Sequence, residues 1–525
     1  MSYPVNDPRI FFSDLESGPN SGGENNAGAM VTIYGSGFGA QQQDSSVTIG
    51  TGKAAKYLIW SDTKIAFQLG SAATTGEIKV ARAGKMSNAL PFKVRAGRIF
   101  FLGANGKDGN AGSFASPWKN FTKARDAMKE GDITYALDGA IQVGEDQYGA
   151  RATMSLGGKF CSATGEPRAL VGYPGAKATL GSVDAGDLAV RSVDLADLGG
   201  ICPGGWVFAG LNLRAKETTL AIGGGAGNWR VVGNDISCPN GNGQSGCVET
   251  GGIDGKLQFY GNHVHDAGAA KASALYHGIY FGSDSNHIDM GWNIVENIRG
   301  CRGVQIHSSR RSMAPEDHTG QSQYDIVIHD NIIHDTQCDA IIFATVDPSK
   351  GKIEVYNNII YNAGKGPNNP EGSGNWACIY FSGDTNNGPP NGGTVEVYNN
   401  TLFHCGTFAK PPYDGSRAAV MNGGHNDKLI IRMRNNIVVQ PAGIPYLVGA
   451  NHAIIGANNL FFGNGAVSSN FRFTGTIAKD PQLMNLTQLD FHLSATSPAK
   501  GAGVDAGQGM DLGALPFITP VPAVP

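Results

Sequence analysis

The sequence predicts an all-β chain: a right-handed parallel β-helix solenoid with a short N-terminal capping helix, preceded by a small immunoglobulin-like β-sandwich. Three observations carry this. The line "IEVYNNIIYNAG" at 353–364 returns as "VEVYNNTLFHCG" at 395–406. One asparagine recurs between short apolar runs, at Asn234, Asn262, Asn293, Asn331, Asn358, Asn400, Asn436 and Asn459. Glycine accounts for 76 of 525 residues while apolar residues stay at 41%, so the glycines serve turns in a packed chain rather than disorder.

The sandwich comes first, over 1–96. "MVTIYGSGFGA" (30–40), "VTIGTGKAA" and "IAFQLGSAATTGEIKVARAGKMSNALPFKV" read as short alternating strands divided by Gly-rich turns. From 98 the texture changes. A strand and a Gly/Asn turn precede one amphipathic helix near 117–129, opened by Ser116-Pro117 and closed at Gly131, placed to cap the strand-rich region after it.

The repeat then runs through 97–515, ahead of a Pro-rich tail at 516–525. Intervals of 23 to 42 residues between the marked asparagines mean one turn of a coil plus loops of varying length. Each unit carries a further strand: "HGIYF" (277–281), "RGVQIH" (302–307), "DAIIFA" (339–344) and "ACIYFS" (377–382). In stacked parallel rungs about 4.8 Å apart, an Asn at one fixed position can hydrogen-bond to its counterpart above, and Asn also tolerates the left-handed backbone of a tight turn. Right-handed winding follows from the general handedness of parallel crossovers.

Composition narrows the function classes. A net charge of −4 gives no footprint for nucleic acid or an anionic membrane. No apolar run is long enough to span a bilayer, and Met1 leads into "SYPVNDPRIFF" rather than a charged-then-apolar leader, so no signal peptide is read here. Eight cysteines are few for a disulfide scaffold, and no CxxC pair marks a zinc site. Cys238 and Cys247 bracket a loop that a disulfide could close, which would place the chain in an oxidising compartment, extracellular or periplasmic. A monomer is expected.

Two family resemblances rest on these motifs. "SGPNSGG" followed by "VTIYGSGFG" resembles the IPT/TIG family of immunoglobulin-like domains, which implies a spacer or accessory module. The repeat, with "GANGKDGNAGSFASPWKNFTKA" before it and "HLSATSPAKGAGVDAGQGMDLGALPF" after it, resembles the pectate-lyase-like parallel β-helix superfamily. That resemblance implies an extracellular enzyme acting on polysaccharide: a lyase cleaving a uronate-containing chain by β-elimination, alternatively a glycoside hydrolase, or a non-catalytic glycan-binding or adhesive protein. It also makes calcium a candidate cofactor, although no run here has dense Asp/Glu ligand spacing.

Strand alternation sorts the candidate residues. Tyr280, Gln305 and Tyr380 fall in one outward column, with Tyr276 and Trp376 before it and His307 after it, a surface suited to stacking on sugar rings. His277, Arg302 and Asp339 begin three of these strands at equivalent positions. For β-elimination, Arg302 would neutralise the substrate carboxylate and keep Asp339 ionised, His277 would abstract the adjacent proton, and Tyr280 or His307 would protonate the leaving oxygen. Strict alternation, however, turns His277, Arg302 and Asp339 inward as a structural network. Arg310 and Arg311, in a long insertion, could clamp an acidic substrate.

The hydrolase reading uses another column: Asp289, Glu354 and Glu396. Successive rungs would bring Glu354 and Glu396 toward a retaining separation, and two rungs would bring Asp289 and Glu354 toward an inverting one. Arg432 on the next rung marks the competing reading of alternating surface charge. After the Asn turn, His265, Glu296 and His334, with Asp266 and Asp335 beside them, offer transition-metal donors, or else the repeated "HD" merely closes each turn.

Overall fold

The computed structural model describes residues 7–282, 284–308, 323–366, 376–382, 392–408, 417–423, 428–450, 452–504 and 511–514. Among the described residues the chain winds from Ile99 through three parallel sheets of 13, 11 and 10 strands, pairing every third strand in sequence except at the two ends of the first sheet. The first sheet runs from Ile99–Leu102 to Arg472–Thr474. The second runs from Ile141–Gln142 to Leu460–Phe462, and the third from Ala152–Leu156 to Leu447–Val448. One apolar core fills the coil throughout, because alternate residues of every strand point inward.

All eight marked asparagines form one buried ladder. Each side-chain amide donates to the carboxamide oxygen of the next: Asn234 to Asn262 at 2.9 Å, Asn293 to Asn331 at 2.8 Å, Asn358 to Asn400 at 3.0 Å and Asn436 to Asn459 at 2.8 Å. The same oxygens also accept backbone N–H groups, as in Asn331 N–H to Asn358 at 3.0 Å. The left-handed backbone belongs to the preceding residue, which corrects the double role expected for the ladder Asn. Gly233 and Gly261 hold that position in early rungs, and Asp330, Asn357 and Asn399 hold it later, all with φ between 52° and 63°. In "YNN" the first Asn thus makes the turn and the second makes the ladder.

The helix spans Phe121–Ala127, starting later than Ser116-Pro117 suggests. Residues 113–118 are taken up by a Ser113–Ser116 bridge and by pairing of Trp118 with Leu102, and the Asp108 carboxylate accepts the N–H groups of Lys119 and Asn120 at 3.0 Å. Phe121 and Ala124, on one helical face, and Met128 just beyond the helix close the first end of the core.

Residues 9–94 form a largely antiparallel sandwich packed on the first sheet. Its core is continuous with outward residues of the first sheet, including Ile99, Phe101, Ile133, Tyr135 and Val171. Polar contacts fix the docking. Arg230 donates to the carbonyls of Ser13 and Asp14 and pairs with Glu16, while the Tyr135 hydroxyl bridges the N–H and C=O of Met30. Trp292 holds the left-handed turn position at φ 58°, a strained choice for so bulky a residue, and its ring packs against Phe11 and Phe12 of the sandwich.

All eight cysteines pair: Cys161–Cys202, Cys238–Cys247, Cys301–Cys338 and Cys378–Cys405. Among the described residues no helix is long and apolar enough to cross a membrane.

Candidate functional site

Register fixes the outer column of the third sheet, which runs from Arg191 through Glu249, Tyr280, Gln305 and Ile342 to Tyr380. At the corner entering the same strands, Gly278 N–H bonds to Arg302 O and Gly303 N–H to Asp339 O, each at 3.0 Å. His277, Arg302 and Asp339 therefore stand on three successive rungs. The Cys301–Cys338 disulfide clips the two rungs carrying Arg302 and Asp339, one residue before each.

All three residues are buried, as their inward parity requires. Arg302 Nε lies 3.5 Å from Asp339 Oδ2, and its Nη1 reaches Gln305 Oε1 of the outer column at 2.7 Å. Ala377 N–H donates to Asp339 Oδ1 at 3.0 Å. The expectation that Arg302 keeps Asp339 ionised is corrected: full burial pushes its carboxyl up to about 7, against the pull of Arg302. Burial, then Arg302 and His307, hold His277 well below the usual imidazole range, and its Nδ1 is buried with no hydrogen-bond partner.

Above this layer the Tyr280 hydroxyl and His307 Nδ1 lie 3.1 Å apart, both side chains partly exposed. The His277 and Tyr280 rings meet edge to face at 6.0 Å. A surface phenol–imidazole pair thus sits over a neutral imidazole, a cation and a carboxyl of raised pKa. Gln305 is nearly buried and Tyr380 half-exposed.

The aromatic residues ahead of the column behave differently. Tyr276 is not on the surface: it fills the core at the corner, with its hydroxyl donating to Glu217 O. Trp376 is buried, its ring tilted against Phe408 at 5.5 Å. Arg310 and Arg311 lie outside the described residues. Toward the N-terminal rungs the same face opens into a groove of about 660 Å³ lined by Arg151, Arg191, Glu217, Ser245 and Glu249.

On the first sheet, Asp289, Val327, Glu354, Glu396 and Arg432 fall in register, so the hydrolase carboxylates are stacked as spaced in sequence. Their partners weigh against a reactive pair. Glu396 is held by Arg432 at 2.7 Å and Arg434 at 2.9 Å, and Glu354 by Lys352 at 3.0 Å. Asp289 takes His329 Nε2 at 3.0 Å, and Asp330 takes its Nδ1 at 2.7 Å. Burial opposes charge on His329, yet these two carboxylates lift it to about 9.

The outer face of the second sheet carries a chain of imidazoles and carboxylates. Glu296 bridges His263 at 2.6 Å and His334 at 3.1 Å, and His334 Nδ1 also meets Asp335 at 2.7 Å. Asp266 and Asp335 adopt φ near 50° inside the strands His263–Ala267 and Ile332–Thr336, so the "HD" motif bulges a strand rather than closing a turn. Asp235, His263 and His265 converge closely enough to share a divalent cation. Two nitrogen donors suit a transition metal better than calcium, which takes six to eight oxygens.

The solenoid has the fold of a solved parallel β-helix protein. Pectate lyase Pel9A superposes with a TM-score of 0.51 at 13% identity over 79% of this chain and 95% of its own. A rhamnogalacturonan lyase (13% identity, 77% and 96% covered, TM-score 0.43) and the family 28 exopolygalacturonase of Yersinia enterocolitica (9%, 91% and 97%, TM-score 0.30) also align. The IPT/TIG domain family matches residues 16–94. No curated protein sequence matches the chain.

Within this β-helix, the strand signature exposed the Tyr280 column but not its extension to Arg191 and Glu249, because those strands lack the "HGIYF" pattern. His263 and Asp235 were equally missed. Both occupy the first position after the ladder Asn, two residues before the outward His265 and Ser237, and strand parity would have found them.

Proposed function

We propose that this chain is a carbohydrate-active enzyme of extracellular or periplasmic location, a lyase that cleaves a uronate-containing polysaccharide by β-elimination on the outer face of the third sheet. The observation carrying this reading is the Tyr280–His307 pair at 3.1 Å, set directly above Arg302, His277 and Asp339. Supporting it are a fold that also serves a pectate lyase, a groove with two arginines leading to the site, and full pairing of the cysteines, which suits an oxidising compartment.

The assignment shifts the base from buried His277 to His307, the imidazole that a polymer can reach. His307 takes the proton α to the carboxylate, and the electron pair forms the new C=C bond as the β C–O bond breaks. Tyr280 protonates the departing oxygen and is reprotonated through its hydrogen bond to His307, so the pair ends as it began. The positive charge of Arg302, relayed to the surface by Gln305, favours the enolate-like charge that builds on the carboxylate. Neutral His277 packs beneath Tyr280 without adding a competing cation.

Incubation with acidic and neutral polysaccharides tests this. Ultraviolet absorbance of an unsaturated uronate appearing together with new reducing ends is expected, reduced at least 100-fold in Tyr280→Phe and His307→Gln. Reducing ends without absorbance would mean hydrolysis, and neither signal on any acidic polymer would leave a binding protein.

A further inference from the structure

The second sheet holds a cluster that the elimination chemistry does not use. Asp235 and His263 are register partners on adjacent rungs, and His265 lies two residues along on the same face. One ligand atom from each lies within 4.8 Å of the others. His263 Nδ1 is buried with no hydrogen-bond partner, 3.6 Å from Asp235 Oδ2, and His265 Nε2 is 3.2 Å from Asp235 Oδ1. Two ligands on a tetrahedral ion with bonds of about 2.0–2.1 Å stand roughly 3.4 Å apart, close to the His263 Nδ1–Asp235 Oδ2 separation.

The surroundings match what a metal site needs outside its ligands. Each imidazole directs one nitrogen inward, and its other nitrogen is held by a carboxylate: His263 Nε2 by Glu296 at 2.6 Å and His265 Nδ1 by Asp266 at 2.9 Å. Such carboxylate–histidine pairs fix ring orientation and raise ligand basicity. The rings stack at 4.3 Å, which keeps their donor edges together. Arg214 occupies Asp235 Oδ1 and donates to its backbone carbonyl at 2.7 Å, leaving Oδ2 as the ligand oxygen.

We propose that Asp235, His263 and His265 bind a first-row transition-metal ion, with Zn²⁺ the best match to two nitrogens and one oxygen, and that Glu296 and Asp266 act as outer partners. The ion would pin two successive rungs across the outer face of the second sheet. This proposal stands apart from the lyase reading and needs no polysaccharide to test.

The experiment uses the full chain without a histidine tag, stripped by chelator and titrated with Zn²⁺ by calorimetry and with Co²⁺ by visible absorption. One equivalent of Zn²⁺, ligand-field bands of a low-symmetry Co²⁺ site, and no displacement by excess Ca²⁺ are expected. His263→Gln and Asp235→Asn should each weaken binding at least 100-fold with an unchanged circular dichroism spectrum, and Glu296→Gln should weaken it about 10–100-fold. No saturable binding by the wild-type chain would overturn the proposal, whatever the variants do. So would undiminished binding in both His263→Gln and Asp235→Asn, or displacement by Ca²⁺.

Discussion

Replacing Asn358 by Ala removes a ladder side chain whose every polar atom is engaged. Its amide donates to Ile328 O and Tyr356 O at 2.9 Å and to Asn400 Oδ1 at 3.0 Å. Its oxygen accepts Asn331 N–H at 3.0 Å and Asn331 Nδ2 at 2.9 Å. Some partners keep another bond: Asn400 Oδ1 still receives Asn358 N–H, Tyr356 O still receives Asp330 N–H, and Asn331 Nδ2 still donates to Met290 O. Asn331 N–H and Ile328 O lose what the side chain supplied. At about 1–3 kcal/mol for each buried group left unsatisfied, the loss is about 3–5 kcal/mol. The neighbouring Asn357 is a built-in control, because its work is the turn: φ is 59° and its amide donates to Asp330 Oδ1 at 2.7 Å. Asn357→Gly should therefore stay within about 1 kcal/mol of wild type, whereas Asn358→Gly should be at least as damaging as Asn358→Ala. Urea denaturation followed by circular dichroism separates the cases. Equal losses at 357 and 358, or an Asn358→Ala variant within about 1 kcal/mol of wild type, would refute a division of labour between the two asparagines.

Further outcomes rest on the same kind of contact. His329 has its folded-state pKa raised from 6.5 to about 9, so its ion pairs with Asp289 and Asp330 contribute fully below pH 6.5 and are lost as pH rises through about 9. The stability gap between wild type and His329→Phe should reach about 3 kcal/mol at pH 6 and shrink above pH 9, measured as urea midpoints across pH. Removing the Cys301–Cys338 bridge, with its 37-residue separation, should lower stability by about 4 kcal/mol in the same assay. Arg230→Ala leaves the docked carbonyls of Ser13 and Asp14 without their donor, so hydrogen exchange over 9–16 should accelerate while exchange in the ladder rungs stays protected.

Which features were legible in sequence has a physical pattern. The ladder was readable because a polar side chain repeated inside apolar runs has few ways to be satisfied except by its own copies. Parity also placed Tyr280 and Gln305 in one column and set His277, Arg302 and Asp339 on the inward side. Docking of the sandwich left a signal that passed unread: Ile99 and Phe101, Ile133 and Tyr135, and Ala169 and Val171 are apolar at the outward positions of strands already apolar inside, a two-sided pattern that calls for a cover. Burial of Tyr276 and the raised pKa of Asp339 could not be read that way. Both depend on how the corner packs in three dimensions, where desolvation outweighs the nearest opposite charge.

Chemistry assigned to the third-sheet face requires that an acidic oligosaccharide settle there and nowhere else. Histidine-labelled protein titrated with oligouronates and followed by proton–carbon NMR reports this directly, since His307 and His277 mark that face while His263, His265, His334 and His329 mark the other two. Saturable shifts of the His307 resonance, assigned by its absence in His307→Gln, are the predicted result. Shifts confined to histidines of the first and second sheets would place the sugar elsewhere and contradict the account.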